Sequence, residues 1–225
     1  MLNIKDAIKA VQERIEKACA KSGRSATDVR LIGVTKRVDT GRIKEAMVCG
    51  LKDFGENYIQ EAKKKIEEIA YCEKMNWHMI GHIQTNKVKY LPGLFSYIHS
   101  VDRWELAELL DRYGKEINVL FELNLSGEAS KQGTTIDNLK RMLERANQLK
   151  NIRPAGLMTM APFVDDPEEV RGVFKGLRET MHEVNREFSL DMRELSMGMS
   201  SDFEVAIEEG ATMVRVGTAI FGERI

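Results

Sequence analysis

Val29-Arg30-Leu31-Ile32-Gly33-Val34-Thr35-Lys36 is a short, β-branched apolar run that ends on a single lysine. Strands buried on both faces read as near-continuous hydrophobic runs, because helices cover both sides of a parallel sheet. Lys36 then falls at the strand's carboxyl end, where α/β folds open onto their ligand crevice. A partly desolvated lysine there is a usable nucleophile toward a carbonyl. Taken alone, Lys36 is better read as a side chain that snorkels to solvent or pairs with a carboxylate. Residues near the other end of the chain change that balance.

Ahead of this strand, Ile4, Ala7, Ile8, Val11, Ile15 and Ala18 recur at helical spacing from about Asn3 to Ala20, and Ser22-Gly23 stops the pattern. An amphipathic helix is expected before the first strand. After Lys36 the spacing predicts a helix from Thr40 to Val48, a strand around Asp53–Asn57, and a charged helix whose Lys63-Lys64-Lys65 reads as a solvated face. The third unit opens with Trp77–His82 and continues as a helix from about Thr85, and the fourth pairs strand Tyr97–Val101 with helix Trp104–Asp111. In the fifth, strand Asn118–Leu125 passes through a polar loop, Ser126–Gly133, to a helix around Ile136–Leu149. The sixth is strand Ala155–Met160 with a helix from Pro167, a good first-turn residue, to Phe188. The seventh, Glu194–Met197, leads to Ser201-Asp202-Phe203-Glu204, which reads as a capping box on a helix closed by Gly210. The eighth strand is Met213–Gly217.

Eight strand-then-helix units at a spacing of about 20–35 residues fit a single TIM (β/α)8 barrel, which needs roughly 200–250 residues with short loops. The chain has 225. An open doubly wound sheet usually has fewer strands and a Gly-rich first turn, absent after Lys36. Residues 1–225 read as one barrel domain with an extra N-terminal helix, without linker or repeat. The formal net charge of −1 offers no electrostatic reason for a nucleic-acid or membrane partner. Cys19, Cys49 and Cys72 are odd in number and widely spaced, which argues for a reducing compartment. No signal peptide or membrane-length apolar run is evident. A cytoplasmic location is expected.

In a barrel, the ends of strands seven and eight commonly bind phosphate together with a helix N-terminus. Ser200 and Ser201 offer hydroxyls and free amides there, and Gly217-Thr218 lets the backbone approach an anion closely. Each has a plain alternative, a helix cap or a turn. Arg215 is harder to explain, because it interrupts an apolar strand, and a buried guanidinium needs a carboxylate or a ligand acceptor. Lysine, anion site and arginine together suggest a phosphorylated carbonyl compound held as a Schiff base. Pyridoxal 5′-phosphate (PLP) fits, since its ring nitrogen takes an Asp or Arg partner. Arginine keeps its protons, so it weakens the electron sink on which most PLP catalysis depends. Such a site should bind well and catalyse little.

Several motifs then make a specific resemblance: Val34-Thr35-Lys36, Phe54–Tyr58, Trp77–Lys87, Ser196–Asp202 and Val214–Gly222. Over almost its whole length the chain resembles the pyridoxal phosphate homeostasis protein family (YggS-like and PROSC-like), related to the alanine racemase N-terminal domain. The resemblance implies the barrel of fold-type III PLP proteins and a covalent cofactor on Lys36. It also implies Arg215 at the pyridine nitrogen, phosphate held by Ser200 and the amides of Gly217 and Thr218, Met199 close by, and Asn57 near the ring. The implied role is carrier or buffer of intracellular PLP, with effects on amino-acid and keto-acid balance, serving apo-enzymes and not acting as a robust catalyst. One departure is present. Many relatives carry a second lysine and a proline after the first, whereas here the run is Lys36-Arg37-Val38-Asp39.

The alternative is a PLP-dependent amino-acid racemase of low activity, which needs a second acid–base opposite the lysine. Racemases draw that tyrosine from an additional β-domain of a neighbouring subunit, which is not expected here, and Tyr58 is the available substitute. A monomer is expected on the same ground. His78 and His82 could share a face, but His99 and His182 are remote in sequence, so hydrogen-bonding histidines are expected and no metal. Met158, Met160, Met197 and Met199 read as core or cofactor-wall packing. Lys131, in the polar loop, marks where a second PLP site would be sought. A pure interaction module would leave Arg215 and the anion-shaped strand ends unexplained.

Overall fold

The periodicity of the strands becomes closure once their order is known. In a computed structural model describing residues 3–69, 75–113, 115–126 and 132–223, eight parallel strands pair in chain order and the last returns to the first. They are β1 (Arg30–Val34), β2 (Asp53–Glu56), β3 (Asn76–Met79), β4 (Tyr97–Val101), β5 (Ile117–Glu122), β6 (Ile152–Met158), β7 (Glu194–Ser196) and β8 (Met213–Val216). The helices are α1 (Ile4–Lys21), α2 (Thr40–Val48), α3 (Ile59–Ile69), α4 (Trp104–Arg112), α5 (Ile136–Leu143), α6 (Arg171–Phe188), α7 (Phe203–Glu208) and α8 (Thr218–Phe221). The helix anticipated after β3 is a 3-10 turn, Thr85–Tyr90. Pro167 opens a 3-10 turn, Pro167–Val170, that runs into α6. Lys131 and much of the polar loop lie outside the described residues.

Strand geometry sends alternate side chains to opposite faces, and the two faces of these strands carry different chemistry. Outward positions such as Phe54, Val119, Phe121, Leu157 and Val214 join the helices in one large apolar core. Inward, Ile32, Leu120, Met158 and Met213 form a small apolar cluster. Burying one such side chain contributes about 1.5–3 kcal/mol. Gly156 brings β6 close to β7: a Cβ there would lie 1.8 Å from the Glu194 carbonyl oxygen, so the position admits no side chain.

The extra helix, α1, is capped by the Asn3 side chain, which accepts from the amides of Lys5 and Asp6. Its buried Ile4, Ile8, Val11 and Ile15 pack it against α2, α7 and α8. Arg14, at the edge of the same face, lies 4.3 Å over the Phe203 ring, pairs with Glu204 at 2.5 Å, and donates to the Ser200 carbonyl at 3.4 Å. The N-terminal helix therefore touches the turn after β7.

Two local expectations are corrected. Lys65 of the triple lysine is buried, on the stripe of α3 that also carries Ala62 and Ile69. The expected capping box does not form either. The helix begins at Phe203 behind Asp202, whose Oδ1 instead accepts the Met199 amide at 2.5 Å.

Candidate functional site

All the strands end at one mouth, where Lys36, Asn57, Ser200, Gly217 and Thr218 gather because each follows a strand, while Arg215 lies within β8, one residue before its end. Lys36 leaves β1 three residues beyond Gly33, the register partner of Val216 on β8. It is half-buried, and its Nζ lies 5.9 Å from the centre of the Tyr58 ring. Among the described residues it makes no ion pair, so the carboxylate partner of the plain reading is absent.

The turn that carries Lys36 is clamped from behind. Thr35 is fully buried and its hydroxyl donates to Glu56 Oε1 at 2.7 Å. Lys65 Nζ donates to the Thr35 carbonyl at 2.6 Å, and to Glu56 Oε1 and Glu61 Oε1 at 2.7 Å each. Glu61 Oε1 also accepts the amide of Arg37, which sits in the left-handed region at φ 60°. A non-glycine residue held there needs surrounding contacts to fix it. Burial raises the Glu56 carboxyl above the ordinary range, and the Lys65 ammonium and Thr35 hydroxyl pull it back down.

Arg215 does point inward. It is 4% exposed, with one terminal nitrogen donating to Ser196 Oγ at 2.6 Å and the other to the Thr159 carbonyl at 2.9 Å. Burial lowers its pKa to about 10, while the charges of Asp202 and Glu122 act the other way. The guanidinium stays protonated at neutral pH. Glu122 ends β5 and is equally buried, with Oε2 unpaired. Burial and the charge of Asp102 push its carboxyl up to about 7 against the pull of Arg215.

At the ends of β7 and β8, Ser200 Oγ accepts the amides of Gly217 and Ala219 at 3.3 and 3.5 Å. These are long bonds, and amides so weakly engaged can turn to a stronger acceptor. Thr218 beside them is exposed. Gly198 shapes the turn: its φ is +90°, and a Cβ would meet Ala206 Cβ at 2.7 Å and Phe203 Cα at 2.8 Å. Met199 is half-buried within it. Asn57, beyond β2, lines a cleft of about 400 Å3 with Tyr58, His82 and Gln84. A further cavity, of about 830 Å3, opens at the opposite face of the barrel beside Arg30 and Asp53, away from Lys36.

Several residues escaped the sequence reading. Glu122 has the same signal as Arg215, a charge inside an apolar strand. His99, remote in sequence from His78, lies 3.0 Å from it, ring nitrogen to ring nitrogen. His82 instead sits exposed at the mouth, 3.9 Å from Asp102. No cluster of metal-binding side chains occurs among the described residues.

The donor set of this mouth is thus an unpaired amine, a buried guanidinium and an anion-sized group of amides. Comparison with known proteins gives it a family. Residues 7–225 match the family "Alanine racemase, N-terminal domain". The chain is 46% identical to the pyridoxal phosphate homeostasis protein of Aquifex aeolicus, over 99% of each. It belongs to the pyridoxal phosphate homeostasis protein family. A solved relative, PipY of Synechococcus elongatus with PLP bound, superposes with a TM-score of 0.83 at 35% identity, covering 93% of this chain and 100% of PipY. Alanine racemase of Clostridium difficile shares the fold alone, with a TM-score of 0.75 at 14% identity over 98% of this chain and 56% of that one. The homeostasis family thus carries the racemase barrel, as the resemblance implied.

Proposed function

We infer that this homeostasis-family chain binds PLP at the carboxyl mouth of the barrel, with Lys36 as covalent anchor, and holds the cofactor as a carrier or buffer. The observation that carries this reading is the half-buried Lys36, without an ion pair among the described residues, opening onto the same mouth as Arg215 and the Ser200–Gly217 amides. The donors suit the cofactor's functional groups. PLP supplies, when bound, an aldehyde to which an amine links with loss of water. Arg215 would donate to the ring nitrogen, Ser200 with the amides of Gly217 and Thr218 would hold the phosphate, and Met199 and Asn57 would flank the ring. A charged arginine at the ring nitrogen leaves that nitrogen unprotonated, which favours storage over catalysis. Apo-enzymes that use PLP are the proposed recipients, and the protein would act as a cytoplasmic monomer. No helix of the described residues is long and apolar enough to cross a membrane.

The ring of Tyr58 beside Lys36 favours one second reading, a weak racemase with Tyr58 as the added acid–base. The deciding experiment is borohydride reduction of protein incubated with PLP, followed by peptide mapping. A reduced pyridoxyl group on Lys36, lost in Lys36→Ala, is the expected result. Failure of any adduct to form at Lys36 overturns the reading. D-amino acids appearing on incubation of the loaded protein with L-amino acids would move the conclusion to the racemase.

A further inference from the structure

A line of hydrogen bonds runs through the barrel interior beneath Arg215, and the proposed binding does not account for it. Ser196 Oγ, which accepts from Arg215, also lies 2.8 Å from His99 Nδ1. His99 Nε2 is 3.0 Å from His78 Nδ1, and His78 Nε2 is 3.0 Å from Asp53 Oδ1. Asp53 pairs in turn with Arg30 at 3.8 Å. His78, His99 and Ser196 are fully buried. Such a line costs desolvation that an apolar layer would avoid, and the neighbouring Ile32, Leu120, Met158 and Met213 show that apolar side chains fit this interior.

With both rings neutral, the Asp53 end sets the direction of every bond, and the Arg215 end is consistent with it. Arg215 only donates, and the Asp53 carboxylate only accepts. His78 therefore carries its hydrogen on Nε2, and as a neutral ring it accepts at Nδ1. His99 must then donate from Nε2 and accept at Nδ1, so the Ser196 hydroxyl points its hydrogen at His99. Its lone pairs are left facing Arg215. Burial holds both imidazoles neutral, lowering His78 and lowering His99 well below the ordinary histidine value. Either neutral ring alone would admit two tautomers, but two neutral rings in line with the Asp53 carboxylate admit one.

We propose that Ser196, His99 and His78 are positioning residues that lock one orientation of the Arg215 guanidinium, so that it meets the ring nitrogen of the bound cofactor as a fixed hydrogen-bond donor. The Ser196 hydroxyl and the Thr159 carbonyl take one N–H from each terminal nitrogen, which sets the plane of the group and leaves other N–H groups for a ligand. The inference rests on PLP lying in this mouth, but the bond directions can be read without it.

Nitrogen-15 spectra of histidine-labelled protein without cofactor should show His78 and His99 as neutral Nε2–H tautomers, unchanged across the pH range in which free histidine titrates. In Ser196→Ala, PLP affinity should fall about tenfold, the effect of losing one fixed charged hydrogen bond. The nitrogen-15 resonance of ring-labelled PLP should also move, and Ser196→Thr should restore both. His99→Phe, with no contact to the cofactor, should shift the same resonance and carries the test if Ser196→Ala does not fold. An Nδ1–H tautomer or a charged ring at either histidine overturns the proposal. So does an unchanged ring-nitrogen resonance in folded, PLP-loaded variants. Protein that gains no adduct at Lys36 refutes the cofactor reading instead, and the histidine spectra then decide the line of bonds alone.

Discussion

Replacing Lys65 by methionine tests whether the turn carrying Lys36 is held from behind. Lys65 is 7% exposed and its side chain donates three hydrogen bonds, two of them to carboxylates. Its removal leaves Glu56, itself fully buried, without a counter-charge and with Oε2 already unpaired. Breaking a buried pair from one side costs about 3–5 kcal/mol. At roughly 2–4 °C per kcal/mol for a chain of this size, Tm should drop by on the order of 10 °C. The penalty should depend on pH with a definite sign. Without Lys65 the folded-state pKa of Glu56 rises further above its unfolded value, so the folded state binds the extra proton. Stability is then retained below the unfolded value, about 4.3, and lost as pH rises through the folded one. Urea titrations at several pH values should therefore show the gap between Lys65→Met and the parent closing toward acid, and Glu56→Gln added to Lys65→Met should recover much of the loss. A loss below about 1 kcal/mol at neutral pH, the same at every pH, would mean that Lys65 is solvated and the clamp is not real.

Glu122→Gln removes a carboxyl whose pKa is pushed up from 4.5 to about 7. Because the folded value is the higher, the parent should lose roughly 3 kcal/mol as pH rises between those values, and the variant's stability curve should be flatter across that window. Gly198→Ala places a Cβ against Ala206 and Phe203 at a φ of +90°. It should destabilise by about 1–3 kcal/mol from overpacking, with backbone strain in addition, and weaken PLP retention by displacing Ser200, read by urea titration and by equilibrium dialysis.

The local signals for the barrel were strong because both faces of each strand are buried. Val29–Val34 and Met213–Gly217 needed only their β-branched runs to be recognised, and the predicted strands lie within a few residues of those observed. Ends were less legible where a turn was 3-10, as at Thr85–Tyr90, or where a side chain had two possible uses. Asp202, for instance, takes the Met199 amide in place of the cap expected at Ser201. Three consecutive lysines look solvated, which conceals that the spacing of Lys65 from Ala62 and Ile69 puts it on the buried stripe.

By itself, the sequence determined the eight-unit alternation and, with it, that Lys36, Ser200, Gly217 and Thr218 would share one mouth, with Arg215 beside them if it turned inward; Asn57 was implied only by the family resemblance. Residues at the carboxyl ends of parallel strands have no other place to meet once the barrel closes. What only the tertiary structure decided are the contacts that side chains make across different elements. His99 with His78, Ser196 with Arg215, Lys65 with Glu56, and Arg14 with Ser200 depend on register, strand twist and helix rotation. Those quantities are set by packing of the whole barrel. No local stretch contains them, which is why a charge inside an apolar strand announced a buried partner without saying which one.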